Sequence, residues 1–120
     1  MGSPSNIEYQ EFKAKDVKKL KERIKKGGEY WDTVEVNDDG TVELNLDEYK
    51  IVQYWYDEFL DFLDEIAKYI EGEIHFECPD FEEYGQVYIN KGVVTIRLPN
   101  GWVDYKTDEL RRVRKCNYPQ

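Results

Sequence analysis

Two segments of alternating residues around a short turn constrain the fold more than any other feature of the sequence. In residues 31–36 and 41–46, apolar and polar side chains alternate, as they do in a strand with one buried face. The residues between them, Asn-Asp-Asp-Gly at 37–40, are types that tolerate the positive φ angles of tight turns. The pattern predicts a β-hairpin, and a hairpin needs further strands or a helix against it to be stable.

A second pattern predicts a long amphipathic helix over about residues 56–70. The apolar side chains fill one arc of this helix, and they are Phe59, Leu60, Phe62, Leu63, Ile66, Ala67 and Ile70. The opposite side carries a charged stripe, which consists of Asp57, Asp61, Asp64, Lys68 and Glu71. Gly72 is the predicted end of the helix.

A shorter, basic helix is predicted over about residues 16–26. Asp16 is its expected N-cap, and Gly27 with Gly28 is expected to end it. Residues 107–115 predict a terminal helix, because acidic residues come first and basic residues follow, as the helix dipole favours.

Weaker patterns predict the other strands. Residues 7–12 predict a short strand or an ordered arm, and three strands are predicted over residues 73–78, 84–90 and 93–98. Residues 47–55 contain strand-forming types but run into the helix pattern without a breaker, so strand and helix both stay open there.

These elements predict an α+β fold, with a mainly antiparallel sheet and both amphipathic helices packed on one of its faces. The 120 residues predict a single domain over 1–120, in which residues 1–6 are expected to be disordered or left over from cloning. No apolar run is long enough for a membrane span and no secretory signal pattern is present, so we expect a cytoplasmic protein. Its two cysteines are expected to be reduced.

The net charge of −9 is strongly segregated along the chain. Residues 1–12 carry −2, residues 13–26 carry +6, residues 27–83 carry −17 and residues 84–120 carry +4. A basic beginning and end therefore flank a very acidic middle, and any electrostatic partner depends on which part faces outward.

The segments WDTVEVNDDGTVELNLDEYK and GEIHFECPDFEEYGQVYINKGVV flank the predicted long helix. Together they resemble a loose group of small acidic proteins of bacteria and their mobile elements, over about residues 29–96. Those proteins also combine an Asp-Gly-Thr hairpin, a helix with a Tyr-Ile-Glu-Gly-like end and a hairpin with a Lys-Gly turn. The resemblance implies the same α+β fold, and it implies no activity because the group has none assigned.

Patterns that would predict catalysis or metal binding are weak in this sequence. The acids at 37–40 are adjacent, whereas a calcium loop of the EF-hand type needs oxygen ligands at alternating positions. His75 and Cys78 lie three apart, so in a strand they would point to opposite faces. There is no second histidine, no nucleophile elbow and no phosphate-binding glycine loop. We therefore predict no catalytic, cofactor-binding or metal-binding residue.

The charge layout predicts a non-enzymatic protein-interaction module that binds a basic protein surface, such as an inhibitor, an immunity protein or a phage counter-defence protein. The predicted partner-binding residues are Asp38, Asp39, Asp57, Asp61, Asp64, Glu65, Glu82 and Glu83. One alternative is nucleic-acid binding through residues 13–26 and 111–115, which requires both basic segments on one face. A second alternative is a small carboxylate-dependent hydrolase that uses acids of the 77–83 region.

Overall fold

The structure is a computed structural model that describes residues 6–47, 55–78, 83–99 and 101–117, with only the backbone described at 83 and 114–117. The strands are β1 (Asn6–Ala14), β2 (Val34–Val36), β3 (Thr41–Leu44), β4 (Ile70–Cys78), β5 (Glu83–Asn90), β6 (Val93–Leu98) and β7 (Val103–Lys106). The helices are α1 (Val17–Lys26), α2 (Asp57–Ile66) and α3 (Thr107–Asn117). The predicted α+β class is confirmed.

The seven strands of the described ranges form one sheet in the order β2-β3-β1-β4-β5-β6-β7. Every neighbouring pair is antiparallel. The segment predicted as a strand or an arm at 7–12 is part of β1, which lies between β3 and β4 in the middle of the sheet. β1 and β4 pair along nearly their whole length, from Asn6 opposite Glu77 to Ala14 opposite Ile70.

The predicted hairpin is confirmed as β2 and β3, with Val34 opposite Leu44 and Val36 opposite Val42. The Gly40 amide donates to the carbonyl of Asn37 over 2.9 Å, and Gly40 has a φ of 93°. The first strand is shorter than predicted because residues 31–33 form a 3-10 turn. That turn places the Trp31 side chain in the core instead of in the sheet.

All three helices contribute side chains to a single apolar core on one face of the sheet. The apolar arc predicted for α2 is buried there, as are Leu20 of α1 and Leu110 of α3. From the sheet, Phe76 meets Phe59 and Trp55 at ring-centroid distances of 6.3 and 6.4 Å. Cys78 is also buried on this face.

The long helix predicted over 56–70 is wrong in its C-terminal part, because α2 ends at Ile66 after ten residues. The last turn tightens, with the Tyr69 amide bonded to the Ile66 carbonyl over 2.8 Å, and β4 begins at Ile70. The apolar residues Ile66 and Ile70 fit helical spacing, but Ile70 is buried as a strand residue opposite Ala14. Pairing with β1 satisfies the backbone groups that a longer helix would have satisfied internally.

The predicted helix stop, Gly72, lies inside β4. It has a φ of +142°, and a Cβ atom there would lie 1.9 Å from the Glu11 carbonyl oxygen of β1. This glycine permits a close approach of two backbones, a role that glycine takes in strands.

The basic helix is confirmed as α1, with the Asp16 carboxylate accepting from the Lys19 amide over 3.1 Å. The terminal helix is confirmed as α3. Residues 48–54, for which strand and helix both stayed open, lie outside the described residues. In the described ranges, no helix has the length and apolar character needed to cross a membrane.

Candidate partner-binding surfaces

Three of the predicted partner-binding residues, Asp57, Asp61 and Asp64, lie along α2 beside α3. Arg111 of α3 reaches them, with Nη2 2.6 Å from Asp61 Oδ1 and 3.4 Å from Asp64 Oδ2, and Nε 3.9 Å from Asp57 Oδ1. The Thr107 hydroxyl also donates to Asp64 over 2.8 Å. These contacts fasten α3 to α2.

Arg111 is surrounded by acid, since Asp108 of its own helix lies 2.8 Å from Nη1. Partial burial lowers the pKa of Arg111, but the carboxylates of Asp64 and Asp61 outweigh it and the net shift is upward. One guanidinium therefore holds together four carboxylates from two helices.

The fourth predicted acid of α2, Glu65, is tied to α1. Arg23 Nε donates to Glu65 Oε1 over 2.5 Å and its Nη1 to the Gly27 carbonyl over 2.8 Å. The guanidinium carbon also lies 4.0 Å from the ring centroid of Trp31. The hydrogen bond from Arg23 lowers the pKa of Glu65. Arg23 thus has a carboxylate, a carbonyl and an aromatic face as its environment.

Asp38 and Asp39 lie in the turn between β2 and β3. Lys21 of α1 lies 2.9 Å from Asp38, so the basic helix also pairs with the hairpin. Asp39 accepts from the Thr41 amide over 2.9 Å, and this hydrogen bond lowers the pKa of Asp39. Glu82 lies outside the described residues, and of Glu83 only the backbone in β5 is described.

The eight predicted residues therefore belong to separate elements and do not form one described patch. We define four of the five acids of α2, Asp57, Asp61, Asp64 and Glu65, as the helix stripe. The helix stripe is contacted by arginines of both neighbouring helices.

Sequence reasoning missed a second acidic surface, on the face of the sheet that points away from the core, which we call the open face. In the described part of the chain, no helix packs on it. Glu35 lies directly opposite Glu43, and Glu11 directly opposite Glu73. The pairing of β1 with β3 sets Glu11 beside Glu43.

These four residues form a line across β2, β3, β1 and β4, which we call the glutamate row. With neighbouring strands about 4.8 Å apart, the glutamate row extends over about 14 Å. Part of the signal was present in the sequence, since polar residues alternate with buried ones in β3 and along most of β4. The strand order that joins them was not readable, because β1 pairs with strands from two distant parts of the sequence.

One lysine of β1, Lys13, lies two residues from Glu11 on the same face as the glutamate row. Among the side chains that the structure describes, no lysine or arginine makes an ion pair with any of the four carboxylates. Glu11 accepts from the Tyr9 hydroxyl over 2.6 Å, which raises the pKa of Tyr9. Like charges directly opposite each other on adjacent strands destabilise a sheet, so the row is a cost to the fold.

Next to the glutamate row lies His75, between two tyrosine rings. Its ring meets Tyr9 and Tyr88 edge-on at centroid distances of 5.4 and 5.9 Å. Its Nε2 is buried without a hydrogen-bond partner in the described structure, 3.7 Å from Glu73 Oε1. Cys78 points into the core, so the predicted separation of His75 and Cys78 onto opposite faces is confirmed. The described residues contain no group of three acids, histidines or cysteines placed to hold a metal ion.

A shallow depression of about 450 Å³ opens on this face where β1, β4 and β5 run side by side. It is lined by three consecutive residues of each strand, namely residues 11–13, 71–73 and 88–90. The middle residues, Phe12, Gly72 and Ile89, pair in register and form its floor. Its rim carries the open-face side chains, which are Glu11, Lys13, Glu71, Glu73, Tyr88 and Asn90.

The two basic segments of the nucleic-acid alternative lie at opposite ends of the sheet. α1 contacts β2 at one edge, and α3 contacts β6 and β7 at the other. Arg23 and Arg111 both point to acids of α2 and are engaged there. Of the acids in the hydrolase alternative, Asp80 and Glu82 lie outside the described residues.

No family model, no curated protein and no solved structure matches the chain. The resemblance to small acidic proteins of bacteria and their mobile elements therefore stays a prediction, and the residues themselves carry the functional interpretation.

Proposed function

We propose that this protein is a non-enzymatic interaction module that binds a basic surface of a partner protein through the open face of its sheet. The observation that carries the proposal is the glutamate row. Its four carboxylates lie in register on the open face, and among the described residues no helix covers them and no arginine or lysine makes an ion pair with them. A protein of this kind suits the role of an inhibitor, an immunity protein or a phage counter-defence protein.

The physical reason is that the glutamate row costs folding free energy which a partner can recover. Like charges directly opposite each other destabilise a sheet, in which favourable cross-strand pairs contribute about 0.2–1 kcal/mol each. A cation of the partner above the row offsets the repulsion among the glutamates and is itself attracted to their carboxylates. Both effects favour binding. The net charge of −9 also raises the rate of encounter with basic proteins and disfavours self-association.

The helix stripe is the weaker candidate for this role. Its carboxylates already contact Arg23 and Arg111, and a partner would have to replace those contacts before gaining anything. The open face requires no such exchange.

A capture experiment with two matched quadruple variants tests the proposal. One variant replaces the row with glutamines at Glu11, Glu35, Glu43 and Glu73. The control replaces four exposed acids of the helix side with amides, at Glu22, Glu29, Asp32 and Glu58. Both lose four charges, so a nonspecific charge effect would weaken both equally.

Basic proteins from a lysate are captured on each variant at low ionic strength and eluted with salt. A partner that is retained by the wild type and the control, lost by the row variant and released by salt supports the proposal. Equal retention by both quadruple variants, or binding that is independent of ionic strength, contradicts it.

A further inference from the structure

The depression above Gly72 has the chemistry of a site for one positively charged side chain. Glu11 and Glu73 approach it from the glutamate row, and Glu71 borders it on the other side. Lys13 is the one lysine or arginine among its lining residues, so three carboxylates stand against one ammonium group. The aromatic ring of Tyr88 completes the rim.

We propose that this depression holds an arginine side chain of the partner protein, an inference that rests on the proposed function. The guanidinium would donate to the carboxylates of Glu11 and Glu73. It would lie against the Tyr88 ring on the side of β4, away from Arg97, which already contacts this ring from β6. Planar guanidinium groups suit this combination because they donate in several directions and also stack on aromatic faces.

The chain itself shows how it accommodates an arginine. Arg23 lies over the Trp31 ring, donates to the Glu65 carboxylate and donates to the Gly27 carbonyl. A second internal example is Arg97, whose guanidinium carbon lies 5.1 Å from the Tyr88 ring centroid and whose Nε donates to Asp104 over 2.7 Å. The depression offers a carboxylate pair and the β4 side of the same Tyr88 ring, and no arginine is among its lining residues.

Gly72 lies at the floor of the depression, where its backbone closely approaches that of Glu11 in β1. Its neighbours in register, Phe12 and Ile89, are buried on the core side, so only backbone separates the depression from the core. One oxygen of Glu71 is already engaged, because it accepts from the Lys91 amide over 2.8 Å. Glu11 also accepts from the Tyr9 hydroxyl through one oxygen, so it would receive the guanidinium through the other, together with Glu73, which lies directly opposite it.

The charge of the chain indicates that the arginine comes from a different protein and not from a second copy of this chain. The open face is acidic and the whole chain carries −9, so two copies repel each other at long range. An arginine on a basic partner protein is complementary to both the local and the overall charge.

Three capped peptides of alternating glycine and lysine test the proposal on the full-length chain. They differ at one central residue, which is arginine, lysine or citrulline, the last being a neutral analogue with nearly the shape of arginine. Binding is followed at low ionic strength by two-dimensional NMR of backbone amides. We expect the arginine peptide to bind about tenfold more tightly than the citrulline peptide, the effect of a charge-assisted hydrogen bond. We expect it to shift the amide signals of Glu73 and Tyr88.

Single substitutions then locate the site. Glu11→Gln and Glu73→Gln should each weaken binding of the arginine peptide by about tenfold and bring it to the level of the citrulline peptide. Lys13→Gln should strengthen binding by about threefold, because it removes a competing cation. Glu22→Gln, on the exposed side of α1, is the matched control and should change nothing.

Several outcomes would overturn the proposal while leaving the proposed function in place. Equal affinity for the arginine and citrulline peptides would exclude an arginine site. If the lysine peptide binds as tightly as the arginine peptide, the proposed contact of the guanidinium with the Tyr88 ring is excluded. Unchanged affinity in Glu73→Gln would exclude this depression. If no peptide binds at low ionic strength, the proposed function itself is contradicted.

Discussion

The helix stripe and the glutamate row contain four carboxylates each, yet they have opposite relations to the rest of the molecule. Arg23 contacts the stripe from α1 and Arg111 contacts it from α3, so its charge helps to hold three helices together. Among the described side chains, no lysine or arginine ion pair reaches the row. A count of acidic residues therefore says little about function until the cations that fold against them are known.

The contrast follows from which elements are neighbours. Two basic helices flank the acidic α2 on the core side of the sheet, and each supplies an arginine to it. In the described part of the chain, the other side of the sheet has no covering layer that could supply a cation. The stripe has a structural explanation that requires no partner, whereas the repulsion within the row is not offset by any lysine or arginine ion pair among the described side chains.

Removing Arg111 should lower the free energy of unfolding more than any other change proposed here, because the helix stripe would lose its main cation. Arg111→Ala leaves the acids of α2 and Asp108 facing one another, and we expect the free energy of unfolding to fall by about 1–2 kcal/mol. Urea denaturation measures it. Arg112→Ala, an exposed neighbour on the same helix, is the control and should change stability by about 0.5 kcal/mol or less. Equal effects of the two substitutions would show that the stripe is not an internal contact.

Acid should weaken the contact between α1 and α2. The folded pKa of Glu65 lies below the unfolded value of about 4.3, so its pair with Arg23 contributes fully above that pH. The contribution is lost as the pH falls through the folded value. We expect Glu65→Gln to cost about 0.5–1 kcal/mol at neutral pH, since the pair is partly exposed, and almost nothing in strong acid. Urea denaturation at a series of pH values checks this, and a constant difference would contradict it.

Removing a charge from the glutamate row should increase the stability of the fold, whereas removing one from the helix stripe decreases it. Glu43 has Glu35 on one side and Glu11 on the other, so Glu43→Gln removes two repulsions and should stabilise the fold by about 0.5 kcal/mol. Glu22→Gln removes one charge from the exposed side of α1 and should not stabilise it. Thermal unfolding of both variants measures the difference, and a destabilised Glu43→Gln would mean that the row is compensated.

Added salt should change the free energy of unfolding through the glutamate row, and this is the smallest of the expected effects. Salt screens the repulsion within the row, so the wild type should gain a few tenths of a kcal/mol more than the variant with four glutamines in the row. The comparison is made by urea denaturation at low and high sodium chloride. Identical salt responses would indicate that the row does not repel itself.

Local patterns in the sequence were sufficient for the hairpin, for α1 and for α3, because each carries its own turn or cap residues. They failed at the end of α2, where Ile66 and Ile70 satisfy helical spacing but Ile70 pairs with Ala14 in the sheet. The glutamate row depends on pairings between residues far apart in sequence, such as Glu11 with Glu73. No local pattern records which strands are neighbours, so this surface could not be predicted.

The central place of β1 also affects the order in which the protein can fold as it is synthesised. β1 pairs with β3 on one side and with β4 on the other, and β4 begins only at Ile70. Until β4 has been made, β1 and the hairpin can form only a three-stranded sheet whose β1 edge is exposed. An unpaired edge of this kind can pair with other chains, so chaperone dependence and aggregation during synthesis should be set by the interval before β4 emerges.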